Sequence, residues 1–231
     1  MDDDITDVIA IDGPAGAGKS TAARRAAEQL GFAYLDTGAM YRAATWRALD
    51  AGLDLEDAGA LVDSTRRMAL DMQEDDCGLR VRVDGRDVTE AIRSPEVTRN
   101  IYRLDQNPDV RAHLVSLQRA FAAKRPTVAE GRDMGTVVFP RARCKVFLDA
   151  DLEERTRRRA EELIARGLPV DMDRLRAEIH ERDEKNRTRT TAPLRRAPDA
   201  TYLDTSSMSI DEVVAAIVAL AAKSGVGVGW T

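Results

Sequence analysis

Apolar residues along the chain keep two different rhythms, and the change from one to the other divides the sequence. Val8-Ile9-Ala10-Ile11-Asp12 is a short unbroken apolar run that leads into a glycine-rich stretch, the pattern of a strand buried on both faces of a parallel sheet. Lys19 to Leu30 is rich in Ala, Arg, Glu and Gln, all good helix formers, and Gly31 stops it. Ala33-Tyr34-Leu35 predicts a second strand and Ala39 to Leu49 a second helix. Strand, helix, strand, helix at this spacing predicts an α/β fold with a central parallel sheet flanked by helices.

After about residue 70 the period drops to two. Leu79, Val81 and Val83 alternate with Arg80 and Arg82, and Asp84-Gly85 then precedes Asp87-Val88. Alternation around Asp-Gly is a hairpin signal, so a small antiparallel insertion is expected over residues 70–105. The α/β rhythm returns at Thr127-Val128-Ala129-Glu130 and at Lys145-Val146-Phe147-Leu148-Asp149. A helix is expected from Leu152 to Arg166, ended by Gly167 and Pro169, and a last strand at Thr201-Tyr202-Leu203-Asp204. Ser209 and Glu212 have capping-box spacing, and Ile210, Val213, Val214 and Ile217 give the final helix its buried stripe. The tail over residues 225–231 reads as loose, and no internal repeat is visible.

Composition narrows the class. Hydrophobic residues are 43% and charged residues 32% of 231, as in an ordinary globular protein of one well-buried core. The net charge of −5 disfavours a nucleic-acid backbone as the main partner. No apolar run approaches the roughly 18 residues that span a bilayer, and the acidic start Asp2-Asp3-Asp4 does not look like a secretory leader. Cys77 and Cys144 lack metal-ligand spacing and are expected to stay reduced in the cytoplasm. Lysine occurs five times among 35 basic residues, which leaves 30 arginines. Guanidinium suits phosphate, although codon bias alone would also produce the excess. Residues 155–196 carry 13 of the basic residues against 8 acidic ones. They read either as a solvated helical face or as an arginine-bearing flap over phosphates.

A phosphate site favours the second reading. Gly13-Pro14-Ala15-Gly16-Ala17-Gly18-Lys19-Ser20 matches G-x-x-x-x-G-K-[ST] between a predicted strand and a predicted helix, the context this loop requires. Its glycines let successive N–H groups face one concavity, where they and the positive end of the helix dipole hold phosphate oxygens. Lys19 would reach the β- and γ-phosphates, and the Ser20 hydroxyl would sit on Mg²⁺. An Asn-Lys-x-Asp guanine reader is absent, which disfavours GTPases. Asp149 at a strand end is a possible second ligand for the metal, but it could equally open the next helix, so that ligand stays open.

Five segments taken together resemble bacterial cytidylate kinases. They are Asp12 through Thr21; Leu35-Asp36-Thr37-Gly38-Ala39-Met40-Tyr41-Arg42; Glu130-Gly131-Arg132-Asp133-Met134-Gly135-Thr136-Val137-Val138-Phe139-Pro140; Lys145 through Ala150; and Arg182-Asp183 followed by Thr191-Ala192-Pro193-Leu194. The resemblance spans nearly the whole chain, and the motifs fall in order. It implies ATP-dependent phosphorylation of CMP and dCMP with Mg²⁺ by a sheet core, a monophosphate-binding insertion (70–105) and an arginine-rich lid (155–196). It also implies roles. Residues 13–21, ending at Thr21, would bind ATP with lid residue Arg158. Arg42, Arg132 and Arg189 would clamp the acceptor phosphate. Thr37, Arg111 and Asp133 would read the cytosine edge, and Arg182 would touch the sugar. Lys19, Arg132, Arg158 and Arg189 would carry the catalysis.

Blander readings stand beside these. Thr37 could simply cap a helix, Arg42 could be a surface charge, and Arg111 lies in an ordinary helical run. His113 and His180 read as surface or packing residues. The chain departs from the family pattern at Tyr102, where a small hydroxyl residue is common, and at Asn186, where an acid is common. Both positions are associated with the sugar, so discrimination between CMP and dCMP is open. Rival readings are a P-loop kinase for another acceptor, such as shikimate, and a nucleotide switch. A cytoplasmic monomer is expected.

Overall fold

The computed structural model describes residues 5–75 and 78–227. Its elements, in chain order, are β1 (Val8–Asp12), α1 (Lys19–Leu30), β2 (Ala33–Asp36), α2 (Thr37–Asp50), α3 (Ala58–Arg67), β3 (Leu70–Asp75), β4 (Gly78–Val83), β5 (Arg86–Asp87), α4 (Pro95–Asp105), α5 (Pro108–Ala122), β6 (Thr127–Gly131), β7 (Cys144–Asp149), α6 (Leu152–Ala165), α7 (Met172–Thr188), β8 (Thr201–Asp204) and α8 (Ile210–Ser224). They form two compact units. One holds the chain up to Leu35 and from Phe121 onward; the other is Asp36–Ala120.

The first unit is built on a five-stranded sheet in the order β2-β6-β1-β7-β8. β1 pairs in parallel with β6 and with β7, and β7 with β8. Every residue of β1 and β6 is buried, as an apolar run covered on both faces requires. α1 turns Ala22, Ala23, Ala26 and Ala27 inward, and these small side chains allow close packing with α8. α8 supplies Val213, Val214 and Ile217 under the expected Ser209–Glu212 capping box. Each fully buried Val or Ile contributes roughly 1.5–3 kcal/mol of transfer free energy. The register pairs Asp12 with Gly131 and with Phe147, and Asp149 with Asp204. The strands therefore finish together, and the loops that follow them share the edge where parallel α/β sheets bind ligands.

In the second unit, α2 packs against α3, α4 and β4. β3, β4 and β5 form the antiparallel sheet expected around Asp84-Gly85. Val83 pairs with Arg86, and both turn residues have positive φ (50° and 80°). That is the primed two-residue turn favoured by strand twist. The Asp84 carboxylate accepts from Ala69 N–H at 2.9 Å and Arg47 Nε at 2.7 Å, which hold it below the usual carboxylate range. Val81, Val83, Ile92, Val97, Leu104 and Leu114 form the buried interior.

Local readings of the helices need one correction. α2 begins at Thr37, two residues before the expected start, and Asp36 is its N-cap, accepting from Ala39 N–H at 2.8 Å. Thr37 is therefore the first helical residue and not the cap. Cys144 is buried, and burial pushes its thiol up to about 11 against a weaker opposing hydrogen bond from Ser224. Cys77 and the end of the tail, residues 228–231, lie outside the described residues. Among the described residues, no helix is long and apolar enough to cross a membrane, and no group of three or more His, Cys, Asp or Glu could hold a metal ion.

Candidate active site

The glycine-rich loop follows β1 directly. A Cβ on Gly13 would lie 2.0 Å from the carbonyl oxygen of Leu148 on β7, so only glycine fits, and its φ of 152° is one that L side chains rarely adopt. Gly18, at φ 84°, is the N-cap of α1 and has no side chain of its own to offer. No side chain caps this helix end, which leaves its first N–H groups to another acceptor. Lys19 is buried and folds back so that Nζ donates to Pro14 O at 2.6 Å. Burial pushes its ammonium down to about 7, and the next largest cause is the positive charge of Arg132. Arg182 acts in the same direction, while Glu130 and Asp183 oppose it. Ser20 and Thr21 are exposed on the first turn of α1.

Arg158, on α6, lies along the same loop. Its Nη1 would be 3.7 Å from a Cβ on Gly18, and it donates to Thr205 Oγ1 at 3.1 Å while Nη2 donates to Thr205 O at 2.6 Å. Glu154, one turn earlier, accepts from Arg158 Nε at 2.8 Å. Thr205 itself is wholly buried after β8 and donates from its N–H to Asp149 O at 2.8 Å. Asp149 is the last residue of β7, and α6 begins only at Leu152 behind Asp151, so Asp149 does not open that helix.

The loop after β6 carries Arg132 and Asp133. Arg132 is half-buried and Asp133 is buried. Asp12, at the end of β1, holds the start of the following turn by accepting from Met134 N–H and Gly135 N–H, each at 2.8 Å. Burial outweighs these two donors and pushes the Asp12 carboxyl up to about 6. Arg189, just past α7, donates from Nη2 to Asp133 Oδ1 at 3.3 Å and from Nε to Ala192 O at 2.5 Å. In the first unit Lys19 opens α1, Arg132 and Asp133 lie in the loop after β6, Arg158 and Arg182 lie within α6 and α7, and Arg189 follows α7.

Thr37, Arg42 and Arg111 belong to the second unit. Thr37 is buried at the start of α2. Arg42 Nη1 donates to Thr98 Oγ1 at 2.8 Å and to Ile92 O at 3.3 Å. It is half-buried and not a solvated surface charge. Arg111, on α5, is only 4% exposed, with its guanidinium 5.6 Å from the centre of the Tyr41 ring. A buried arginine stacked on an aromatic ring is not an ordinary helical surface residue. Tyr102 lies under the Arg103 guanidinium at 4.7 Å. Asn186, on α7 of the first unit, is buried, and its Nδ2 has no hydrogen-bond partner among the described residues. A groove in the second unit, between α3 and the α4–α5 turn, is lined by residues such as Leu55, Leu61, Tyr102 and Asn107, and of the positions tied to the substrates it includes only Tyr102. His180 is exposed and His113 half-buried.

Three residues without a role in the sequence reading hold the site together: Asp12, Arg155 and Asp183. Asp12 and Asp183 stand inside recognisable motifs, but nothing in the sequence shows what their carboxylates meet. Arg155 is one arginine among many on a helix.

A glycine-rich phosphate loop between a buried parallel strand and a helix, with arginines from a later loop and later helices around it, defines a P-loop phosphotransferase core. The sequence profile of the cytidylate kinase family matches residues 9–223. The chain belongs to that family. It is 50% identical over 210 residues to the cytidylate kinase of Geobacillus kaustophilus, covering 91% of this chain and 94% of that one. It is 50% identical over 209 residues to the one from an Exiguobacterium species (90% and 93% covered) and 51% identical over 212 to that of Pelotomaculum thermopropionicum (91% and 94%).

Proposed function

We propose that this protein transfers the γ-phosphoryl group of ATP directly and in line to CMP and dCMP, giving CDP and dCDP. The observation that carries the reading is the cationic cluster of Lys19, Arg132 and Arg182 behind the phosphate loop, where burial first, and the two arginines after it, push the lysine ammonium down to about 7. Cations collected at such cost in a buried site suit two polyanionic substrates. The acceptor phosphate is already an anionic nucleophile at neutral pH, so the reaction needs charge compensation and alignment more than a general base. Residues 13–21 hold the donor phosphates through Lys19 and the loop N–H groups other than those of Pro14, which has none, and Ala15, which donates to Asp183, with Arg158 alongside. Arg42, Arg132 and Arg189 hold the acceptor phosphate. Thr37, Arg111 and Asp133 read the cytosine edge, where a carboxylate accepts from the amino group and a donor faces N3. Arg182 meets the sugar.

Within this reading, residues 70–105 are the monophosphate-binding insertion and residues 155–196 the lid, whose closure excludes the water that would hydrolyse ATP. Mg²⁺ fits the donor set. The Ser20 hydroxyl is exposed at the first turn of α1, and the described residues form no multi-carboxylate cage, which suits an ion held mainly by nucleotide phosphates and water. Bound there, it would neutralise phosphate charge. The nucleotide substrates and the buried free thiol of Cys144 suit the cytoplasm. The exposed large hydrophobic residues are few, namely Val137, Ile164, Leu168, Met172 and Tyr202 among those described, and this suits a monomer.

An ADP-release assay with Mg-ATP and separate acceptors tests the reading. Release stimulated by CMP and dCMP, and hardly by UMP, AMP, GMP or shikimate, is expected. Stimulation by another acceptor would keep the kinase and discard the base contacts. Slow release whatever the acceptor would make the protein a nucleotide switch.

A further inference from the structure

Arg155 on α6 and Asp183 on α7 form an ion pair that is 6% and 2% exposed. Both partners also grip one residue of the phosphate loop. Asp183 Oδ1 accepts from Ala15 N–H at 3.1 Å, and Arg155 Nη1 donates to Ala15 O at 3.0 Å as well as to Asp183 Oδ2. Arg155 Nε donates to Ala150 O at 2.8 Å, which ties the guanidinium to the end of β7. The contact continues at the next residue, where a Cβ on Gly16 would lie 3.1 Å from both Cβ and the carbonyl oxygen of Arg155.

A buried ion pair is a poor device for merely joining two helices, because desolvation offsets most of its attraction. α6 and α7 already share an apolar seam of Ala160, Leu175 and Ile179, with Leu152, Leu163 and Val170 packed against it. Aliphatic side chains in place of the pair would extend that seam. They could not satisfy the N–H and C=O of Ala15, two polar groups that are costly to leave unpaired in a buried loop.

We propose that Arg155 and Asp183 are positioning residues for the phosphate donor. They act through Ala15 and Gly16, setting the curl of the loop and tying it to the base of the α6–α7 hairpin, beyond which the rest of the hairpin is free to close. Arg158, one turn along α6 from Arg155, thereby keeps its place beside Gly18 of the loop. The inference rests on the loop being the ATP site, so its primary readout is ATP binding without any acceptor.

The test uses the full chain with Asp183→Asn, and with Arg155→Met combined with Asp183→Leu. ATP affinity is measured by calorimetric titration with Mg-ATP, alongside the KM for each substrate and the thermal midpoint. Losing these charge-assisted bonds is expected to weaken ATP binding about tenfold in both variants, with the KM for CMP changed less than about twofold. The aliphatic pair should recover the midpoint without recovering ATP affinity. Recovery of both would make the pair purely structural and overturn the proposal. So would unchanged ATP affinity in Asp183→Asn, or an equal rise in the two KM values. Should the aliphatic variant fail to fold, Asp183→Asn, which keeps an acceptor for Ala15, decides alone. A wild type that binds ATP but ignores CMP would remove the acceptor reading and leave the positioning role to the ATP affinities. A wild type that does not bind ATP would overturn both.

Discussion

Arg189 donates to Asp133 across 3.3 Å with both side chains almost wholly buried, 3% and 5% exposed. One residue is proposed to bind the acceptor phosphate and the other the cytosine amino group, so the two halves of acceptor recognition are coupled through a direct contact. Removing one partner of a buried pair leaves the other charge uncompensated. Arg189→Ala is expected to destabilise the protein by about 3 kcal/mol and to raise the KM for CMP more than the KM for ATP. Urea denaturation and steady-state kinetics check the two parts. A stable variant with an unchanged acceptor KM would remove Arg189 from the site.

Lys19→Met separates stability from activity in the opposite way. With its ammonium pushed down to about 7 from 10.5, the native protein binds fewer protons at Lys19 than the unfolded chain between those values. Stability therefore rises with pH across that window, and at neutral pH and below the buried ammonium is a burden. Methionine lifts it. The variant is expected to be at least as stable as wild type at pH 7, with turnover down by about 100-fold or more. Equal losses of thermal midpoint and activity would sink the assignment.

Asp12 titrates with the reverse sign. Its carboxyl is pushed up to about 6 from 3.8, so the native state binds the proton more tightly than the unfolded chain. The stability this contributes is present below pH 3.8 and is lost as pH rises through about 6, a change of up to about 3 kcal/mol. Asp12→Asn removes the titration. The stability of wild type relative to the variant should fall between pH 4 and pH 7, as read by urea midpoints. A rise instead would show that the Met134 and Gly135 N–H donors outweigh burial.

Two glycines with positive φ should respond differently to alanine. Gly13→Ala drives a Cβ to 2.0 Å from Leu148 O, whereas Gly31, at φ 69°, has nothing within 4 Å of such an atom. Gly31→Ala is expected to cost about 1 kcal/mol for the left-handed backbone alone. Gly13→Ala, which must displace β7 or the loop, should cost more than about 3 kcal/mol. Equal unfolding free energies for the two variants would show that the loop shifts freely.

The strands and helices were legible because local patterns carry them. The unbroken apolar run of β1, the alternation through β4 and the Ser209–Glu212 box each lie within one element, and hydrophobic period and capping chemistry specify them without reference to distant residues. The phosphate loop was legible for the same reason, since Gly13 to Ser20 is contiguous. Thr37 was misread as a possible cap because Asp36, one residue earlier, competes for the same helix end. Arg111 looked ordinary because the Tyr41 ring that its guanidinium meets lies 70 positions away in the sequence.

By itself, then, the sequence determined the α/β architecture, the antiparallel hairpin and the presence of a phosphate cradle, all of which follow from short-range periodicity and steric preference. Only the tertiary structure decided which charges meet. Asp133 finds Arg189 across 56 positions, Asp12 finds the turn at Met134 across 122, and Asp183 reaches Ala15 across 168. Ion pairs and hydrogen bonds depend on distances of a few ångströms, and in a chain with 35 basic and 40 acidic residues many pairings are chemically equivalent until strand order and register bring particular loops to the same edge of the sheet.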